Sequence, residues 1–457
     1  MKQLFKGGIV VTGKGTKRCD VLVDGEKIAA VARKITDSEA QEVDCSGKLL
    51  LPGFIDGHTH FDLDVAGTVT ADDFVSGSRS ALRGGTTTVV DFACPHKGQT
   101  LLDGLDIWRQ KARDCRCDYG FHMTIDDWND TIARQLDDMY AAGISSFKLY
   151  MTYPAMMLPD ETLYRILCKV REKGGICIVH CENHPLIDLL TREAKAAGAG
   201  GNVSFHSRTR PDLLEAEAVS RLLRMAQLAR TPVVIAHLTC RAALREVEAA
   251  RKRGQTVWVE TCPQYLLLDR SGYESDDWDH AASLVCSPPL RTPADQDALW
   301  TALRRGEIQT VATDHCSFTP EQKAMGRGDF TAIPGGLPGV ETRFSLLYTY
   351  GVTTRKISLA TACRVLSENP ARLYGLFPRK GIIQPGSDAD IVVFDPQGSG
   401  TIHAADLASR AGYTPYEGFN THGAIRQVWL RGQLVVDQGM ELEHSGGQYV
   451  PRGKCSL

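Results

Sequence analysis

Two histidines separated by one residue are the first candidates for chemistry in this chain of 457 residues. They are His58 and His60, in the run Gly57-His58-Thr59-His60. On an extended strand, residues two apart point to the same face, so both imidazoles can reach one metal ion. Alone, such a pair could equally be surface or supporting histidines. It indicates a metal site only if other ligands converge on it.

Other apolar runs of the chain also end in residues that can bind metals. These residues are His180, His237 and Asp314. Imidazole nitrogens and carboxylate oxygens are the ligands that zinc prefers at catalytic sites. With these residues added, the pattern predicts a metal centre whose ligands come from distant parts of the chain.

Lys148 lies inside an apolar strand pattern, between Phe147 and Leu149. A buried ammonium group is unfavourable unless it is paired or loses its proton. One interpretation is a salt bridge to a nearby carboxylate. The other is a lysine of lowered pKa that reacts with CO2, because the resulting carbamate is an anionic ligand with two oxygens that can bridge two metal ions.

These residues need a scaffold that brings them to one rim. From about residue 53 to 378, short apolar runs alternate with helical patterns, which predicts an α/β fold with a (β/α)8 TIM barrel, whose active site lies at the C-terminal ends of the strands. A doubly wound open sheet is the alternative, but no G-x-G-x-x-G loop follows the first strand. The eight predicted strands are Phe54–His60, Thr87–Phe92, Tyr119–Ile125, Ser146–Met151, Ile176–Cys181, Val233–Leu238, Val257–Thr261 and Ile308–His315.

Both ends of the chain have β-strand patterns. Asp20–Val23 and Glu26–Val31 flank Asp24-Gly25, a dipeptide that suits a tight hairpin turn. Near the C-terminus, Asp390–Phe394 and Val428–Val436 also predict strands. We therefore predict a small β-sandwich domain made from residues 1–52 and 379–457, around a metal-binding barrel of residues 53–378.

The composition is that of an ordinary globular protein, with 43% hydrophobic and 23% charged residues. The net charge of -3 gives no basic surplus for nucleic acid or an anionic membrane. Without a transmembrane run or a signal-peptide core, the chain is expected to be cytoplasmic. The 14 cysteines include no C-x-x-C pair, so we expect buried free thiols rather than disulfides.

Taken together, the motifs resemble the D-hydantoinase and dihydropyrimidinase family, which are cyclic amidohydrolases of the metal-dependent amidohydrolase superfamily. The resemblance covers nearly the whole chain. The matching stretches are Gly53–His60, Ser146–Tyr150, Val179–Asn183, Glu260–Leu266, Ser287–Arg291, Thr313–Cys316, Leu337–Glu341 and Asn369–Asp390.

The resemblance implies a binuclear zinc centre, with two Zn²⁺ per chain. In this family one ion is more buried than the other, and a carboxylated lysine bridges them together with a hydroxide. The implied ligands are His58, His60 and Asp314 for the more buried ion, His180 and His237 for the second, and N6-carboxylated Lys148 as the bridge.

The resemblance also implies the reaction. The hydroxide attacks the ring amide of a 5-substituted hydantoin or a dihydropyrimidine, and Asp314 carries the proton to the leaving nitrogen, which gives an N-carbamoyl amino acid. Tyr153 corresponds to a tyrosine that stabilises the oxyanion, although a loop aromatic is the alternative from sequence alone. The ring amide is held near Ser287 and near Gly335, where this chain has glycine in place of the family's asparagine.

The loops after the first and fourth strands are expected to shape the pocket for the ring substituent. Their apolar residues suggest an aryl or alkyl substituent, with ordinary rim packing as the alternative. These residues are Leu63, Val65, Met156, Met157 and Leu158.

The remaining histidines are expected to have no direct role. Those near the rim are interpreted as supporting or structural residues, and those far from it as surface residues. The first group is His122, His184 and His315, and the second is His403, His422 and His444.

Three alternative functions can be weighed against the sequence, and two of them stay open. A dihydroorotase is disfavoured, because Phe61 and Asp62 follow His60 where an arginine is typical. An allantoinase-like cyclic amidase and a non-catalytic scaffold homologue both remain, although the chain keeps every implied ligand. The resemblance further implies a small-molecule substrate and a homotetramer, with a homodimer as the alternative.

Overall fold

Eight parallel strands form the barrel in the computed structural model, which describes residues 2–457. Each strand pairs with the next in the chain. The first and last meet at a single bridge between Thr59 and His315, where the His60 N–H donates to the His315 carbonyl at 2.8 Å. The predicted (β/α)8 class is confirmed. The strands are Phe54–Thr59, Thr86–Ala93, Asp118–Thr124, Ser146–Tyr150, Ile176–His180, Val233–Ile235, Val257–Thr261 and Thr310–Val311.

The sixth and eighth strands are shorter than predicted. The eighth ends at Val311 rather than His315, and the sixth ends at Ile235. Asp314 and His237 then have φ of 53° and 34°. Such positive φ values are incompatible with an extended strand. These polar residues therefore lie in the turns just after the strands.

Helices of the predicted amphipathic kind cover the outside of the barrel. Asp160–Lys173 and Arg241–Lys252 have the predicted bounds. In the first, Leu163, Ile166, Leu167 and Val170 are buried, because this spacing places them on one helical face. The other helices of eight residues or more are Phe74–Arg83, Leu101–Lys111, Asp130–Ala141, His184–Ala196, Asp212–Ala229 and Pro293–Arg305.

Shorter helices fill the connections. Most of them follow the last four barrel strands. The α-helical ones are Phe205–Arg208, Pro263–Leu267, Trp278–Ser283, Pro320–Lys323, Arg343–Leu347, Leu359–Cys363 and Asn369–Leu373. The 3-10 turns are Arg270–Glu274, Ala324–Gly326, Phe330–Ala332 and Ala404–Asp406, and the π-helical turns are Tyr348–Thr353 and Arg364–Glu368.

Strands from both ends of the chain form two further sheets, as the predicted sandwich requires. The predicted hairpin turn at Asp24-Gly25 is present, with Gly25 at φ 59°. A four-stranded sheet contains Lys2–Lys6, Asp20–Asp24, Lys27–Ala32 and Gln41–Asp44. A seven-stranded sheet contains Ile9–Thr12, Gly15–Arg18, Leu49–Pro52, Ile391–Thr401, Asn420–Leu430, Gln433–Asp437 and Met440–Glu441. A separate pair, Asp64–Val65 and Thr68–Val69, forms a small hairpin after the first barrel strand.

A buried cluster of charges connects these sheets to the barrel. The Lys380 ammonium lies 2.6 Å from Asp118 and Asp390 and 3.0 Å from Asp388, and Arg431 also contacts Asp118. Asp118 begins a barrel strand, so the cluster is at the end of the barrel opposite the predicted metal ligands. The three carboxylates are close enough to hold a cation, and Lys380 supplies that charge.

The cysteines of the chain are all free, and most are buried, as expected for a protein without disulfides. Within residues 2–457, no helix is both long and apolar enough to cross a membrane.

Candidate metal centre and active site

The residues that the sequence singled out line one cavity of about 900 Å³ at the C-terminal ends of the barrel strands. This volume is within the range of small-molecule sites. Several strands contribute, so only the closed barrel brings the residues together. The candidate residues that line it are His58, His60, Lys148, Tyr153, His180, His237, Ser287, Asp314 and Gly335.

The first two histidines face the same carboxylate. His58 Nε2 and His60 Nε2 each lie 3.2 Å from Asp314 Oδ1. Ligand atoms of His58, His237 and Asp314 all lie within 4.8 Å of one another. His58 and His60 point the same way because they are two residues apart on an extended strand, and the turn at Asp314 brings its carboxylate to them. This arrangement is the one that a shared metal ion requires.

Buried ring nitrogens in this cluster lack protein partners. Nδ1 of His60 and Nδ1 of His237 are buried and have no hydrogen-bond partner in the described chain. Burial lowers the pKa of His58, His180 and His237, so these rings are neutral and their lone pairs are free for a metal. The donor set and its protonation fit a metal centre.

Two glutamates orient histidines of the candidate ligand set. Glu260 Oε1 lies 2.5 Å from His58 Nδ1, and Glu182 Oε2 lies 2.8 Å from His180 Nε2. A carboxylate at the second ring nitrogen fixes both the tautomer and the orientation of a ligand histidine. Glu182 also accepts a hydrogen bond from Arg210 at 2.8 Å. Glu260 had no predicted role, although it lies in the predicted strand Val257–Thr261 and begins the matching stretch Glu260–Leu266.

Lys148 is buried without a neutralising partner. Its side chain is enclosed by Phe92 and Tyr150, with Nζ 4.9 Å and 5.2 Å from the ring centroids. Its one hydrogen-bond contact is with His58 Nε2 at 3.4 Å, and no carboxylate of residues 2–457 lies within 4.0 Å. The salt bridge considered from sequence is therefore absent. Burial lowers the pKa of Lys148, which favours the neutral amine.

Tyr153 occupies a strained position at the mouth of the cavity. Its φ is 66°, and its ring centroid lies 5.1 Å from that of His180. Non-glycine residues with positive φ are uncommon and cluster at functional sites. Burial raises the pKa of the Tyr153 hydroxyl, and the charge of Glu182 adds to this effect. The hydroxyl therefore stays protonated and can donate a hydrogen bond.

Ser287 and Gly335 are adjacent across the cavity wall. A Cβ atom built on Gly335 would lie 3.4 Å from Ser287 Oγ and 3.9 Å from Ser287 N. Among the residues that the structure describes, none forms a hydrogen bond with the backbone N–H or carbonyl of either residue. Two pairs of free backbone groups thus face a common space, which suits recognition of a planar amide.

The predicted supporting histidines differ in their surroundings. His315 Nε2 lies 3.0 Å from Asp72, and its Nδ1 accepts from the N–H groups of Gly339 and Val340. This ring joins three loops directly after Asp314. It therefore holds the turn that carries the carboxylate.

The other secondary histidines lie away from the metal cluster or beneath it. His122 is buried below His58 and contacts the Gly57 carbonyl at 3.0 Å. His184 begins the helix His184–Ala196 outside the cavity. His403 and His422 are exposed as expected, but the prediction for His444 is wrong. Its side chain is fully buried 3.5 Å from Glu441, because the segment after the last strand folds back over it.

Three of the five apolar rim residues line the cavity, and two do not. Leu63, Val65 and Met156 face it. Met157 is 40% exposed and Leu158 is buried behind the rim. The bridge between Tyr150 and Met157 turns this loop back on the fourth strand, so the two residues after Met156 leave the cavity.

The cavity is also lined by further polar residues that were not predicted as site residues. Three of them belong to the connection after the fifth strand, where no apolar run marks their position, and the other three follow soon after predicted strands. The clearest signal available was the charge of Arg210 beside a helix start. These residues include Arg210, His206, Thr209, Cys94, Cys316 and Asp126.

Comparison with known proteins agrees with this geometry. Residues 49–435 match the amidohydrolase family. The chain is 40% identical to a D-hydantoinase of Streptomyces coelicolor over 99% of its own length and 98% of that protein. It is equally 40% identical to a D-phenylhydantoinase of Escherichia coli, over 99% and 98%. The crystal structure of dihydropyrimidinase from Brevibacillus agri superposes with a TM-score of 0.96 at 41% identity, covering 99% of both chains.

These matches span almost the entire chain, the barrel and the terminal sheets alike. The resemblance first read from short motifs is confirmed, and the scaffold alternative loses its support because the relatives are enzymes by name. The chain belongs to the D-hydantoinase and dihydropyrimidinase family of amidohydrolases and is a cyclic amide hydrolase.

Proposed function

We propose that this enzyme uses two zinc ions to hydrolyse the ring amide of 5-substituted hydantoins, dihydropyrimidines or both, giving N-carbamoyl amino acids. The observation that carries the proposal is the approach of His58 Nε2 and His60 Nε2 to 3.2 Å from Asp314 Oδ1. The unpaired, buried Lys148 beside them supplies the remaining anionic ligand once it is carboxylated.

Six side chains would hold the two ions. Their neutral rings and the Asp314 carboxylate match the preferences of catalytic zinc. The proposed ligands are His58, His60 and Asp314 for the more buried ion, His180 and His237 for the second, and carboxylated Lys148 between them.

Carboxylation of Lys148 follows from its surroundings. The neutral amine adds to the carbon of CO2, an N–C bond forms and one proton is released. The product is a carbamate anion with two oxygens. Burial favours the neutral amine, which is the form of Lys148 that can attack CO2, and zinc would stabilise the anion that forms.

The roles of the other residues follow from their positions. Zinc, when bound, supplies a water that ionises near neutral pH. Asp314 accepts the proton of the attacking water and transfers it to the leaving ring nitrogen. Tyr153 donates to the carbonyl oxygen as negative charge develops there. The free backbone groups of Ser287 and Gly335 hold the ring amide in register.

The apolar wall formed by Leu63, Val65 and Met156 selects the ring substituent. An aryl or alkyl group in this position removes apolar area from water. Methionine adapts to groups of different shape, which suits a broad range of 5-substituted hydantoins. One of the relatives is named a D-phenylhydantoinase, in agreement with an aryl substituent.

A substrate panel on zinc-loaded protein tests this proposal. The substrates are D- and L-phenylhydantoin, unsubstituted hydantoin, dihydrouracil and allantoin, with bound zinc measured on the same samples. We expect about two zinc ions per chain and turnover of phenylhydantoin, dihydrouracil or both. Turnover of allantoin alone would replace the proposal with an allantoinase. A protein that binds no zinc on loading and hydrolyses none of the substrates would overturn the proposal.

The assembly and the domain division remain proposals. We propose a homotetramer, which light scattering of the purified enzyme would distinguish from a homodimer. The proposed domains are residues 1–52 with 379–457, and residues 53–378.

A further inference from the structure

A buried lysine lies directly behind the wall of the cavity. Lys323 ends the helix Pro320–Lys323 and is 2% exposed. Its Nζ donates to the carbonyl oxygens of Val285, Pro334 and Gly336, each at 2.8 Å. An ammonium group has three N–H donors, so the hydrogen-bonding capacity of Lys323 is fully used by backbone.

This arrangement is unusual because no anion compensates the charge. In the described chain, no carboxylate lies within 4.0 Å of Lys323 Nζ. Carbonyl dipoles and the Phe318 ring, whose centroid is 5.6 Å away, are its partners. Burial lowers the pKa of Lys323 to about 7. Placing a lysine here is unfavourable for folding, and a neutral apolar residue would fill the same space.

The three carbonyls belong to the two segments that carry Ser287 and Gly335. The segments also contact each other directly, since Gly336 N–H donates to the Val285 carbonyl at 3.0 Å. Lys323 and this N–H thus share one acceptor. The ammonium is a common anchor for both segments on the side away from the cavity.

Peptide planarity transmits this anchoring to the cavity side. The Pro334 carbonyl and the Gly335 N–H belong to one rigid peptide plane and point in opposite directions. The Gly335 carbonyl and the Gly336 N–H belong to the next plane. Lys323 fixes the first plane through Pro334, and it supports the second through Val285. Glycine has the largest backbone freedom, so Gly335 depends on such external restraint.

We propose that Lys323 is a positioning residue that holds the peptide planes on both sides of Gly335 in the orientation that recognises the ring amide. It does not touch substrate or metal. The recognition step rests on the function proposed above, whereas the restraint of the backbone does not.

The test compares wild-type enzyme with Lys323→Met, both loaded with zinc. We expect KM to rise roughly 10- to 100-fold while kcat changes less than about threefold, because contacts made equally in ground and transition state affect KM. Bound zinc should be unchanged. The inhibition constant of acetohydroxamic acid should also be unchanged, because a hydroxamate chelates metal ions through its two oxygens and has no ring amide for Gly335 to recognise.

Hydrogen exchange of the backbone gives a readout that needs no substrate. In Lys323→Met, the amide of Gly336, which donates to the Val285 carbonyl, should exchange at least roughly tenfold faster than in wild type, as expected for a lost restraint. If the wild-type enzyme hydrolyses none of the panel, the proposed function fails, and exchange alone still decides whether Lys323 restrains this amide.

A destabilised control separates positioning from general loss of stability. Val247→Ala removes a buried side chain from the helix Arg241–Lys252, far from both segments. Its KM and its exchange at Gly336 should match wild type. If Lys323→Met does not fold, Lys323→Gln, which keeps an amide donor, is measured in the same way. Unchanged KM with unchanged exchange, or changes equal to those of Val247→Ala, would overturn the proposal.

Discussion

Two neighbouring glycines at the cavity wall have opposite tolerance for a side chain. A Cβ on Gly335 would meet only Ser287, with Oγ at 3.4 Å and N at 3.9 Å, which are ordinary contacts. A Cβ on Gly336 would overlap the Cys316 carbonyl oxygen. The first position can therefore accept a Cβ atom, and the second has room only for glycine.

This contrast predicts different outcomes for matched substitutions. Gly335→Ala should change the free energy of unfolding by less than about 1 kcal/mol, and Gly336→Ala should cost about 2–4 kcal/mol through backbone displacement. Urea unfolding of the two variants and wild type measures the difference. Equal stability of both variants would contradict the close approach of Gly336 to Cys316.

The proposed bridging role of Lys148 makes a second prediction for a single residue. Lys148→Ala should lower kcat/KM by roughly a thousandfold or more, because an anionic metal ligand is lost. Acetate or propionate should partly restore activity by replacing the carbamate. Lys169→Ala, which removes an exposed lysine paired with Glu172, is the control and should stay fully active. Undiminished activity of Lys148→Ala would refute a lysine-bridged centre.

At the residue scale, sequence reasoning was strongest where chemistry and periodicity coincide. His58 and His60 stood out because a spacing of two on a strand has one geometric meaning. Glu260 and Lys323 did not, because their partners are distant in sequence and their types carry no spacing signal. A buried lysine bound only to backbone carbonyls cannot be recognised before the carbonyls are located.

At the scale of elements, the barrel strands were predicted from apolar runs and the helices from their 3.6-residue period. The errors are concentrated at the ends of the sixth and eighth strands. There the runs continue in sequence, but His237 and Asp314 take positive φ and leave the sheet. Hydropathy does not encode this turn, because side-chain demands of the site determine it.

One ion cluster between elements makes stability depend on pH. Glu441, in the last strand, accepts hydrogen bonds from Arg79 and Arg116 and lies near His444. Burial alone would raise the pKa of Glu441, but these three partners outweigh burial and lower it to about 2. The carboxylate therefore stabilises the folded state above its unfolded pKa of about 4.5, and this contribution is lost as pH falls from there towards 2.

Glu441→Gln tests this dependence. At pH 7 the variant should be about 1–2 kcal/mol less stable than wild type, after allowance for solvent screening. The difference should shrink below about pH 4.5, as measured by urea unfolding at a series of pH values. Glu443→Gln, at an exposed neighbouring position, should match wild type throughout. A difference for Glu441→Gln that is independent of pH would show that its charge is not the cause.

At the scale of the whole molecule, the proposed ligands connect the first barrel strand to the last. An ion held by His58 and Asp314 crosses the point where the barrel closes, beside the bridge of Thr59 and His315. A ligand that binds only the folded state stabilises it by linkage. Metal binding should therefore stabilise the closed barrel as well as supply chemistry to the site.

Removal of metal is the corresponding prediction. Dialysis against dipicolinic acid should lower the free energy of unfolding, and added zinc should restore it, by about 2.7 kcal/mol when free zinc is 100 times its Kd. Urea unfolding monitored by tryptophan fluorescence measures both states. His58→Ala should lose most of the response to zinc, whereas Val247→Ala should keep it. An identical midpoint with and without zinc would exclude such coupling.

The proposed metal ligands are widely separated along the chain, which limits which fragments of this enzyme could keep its activity. The proposed ligands lie on, or in the turns just after, the first, fourth, fifth, sixth and eighth barrel strands, so no short fragment would carry a complete centre. A proteolytic fragment, a transplanted loop or an early truncation would keep individual histidines but not the complete ligand set that hydrolysis needs. Catalysis is therefore an all-or-none property of the closed ring, and variation that alters substrate choice is confined to the loops that leave this ring intact.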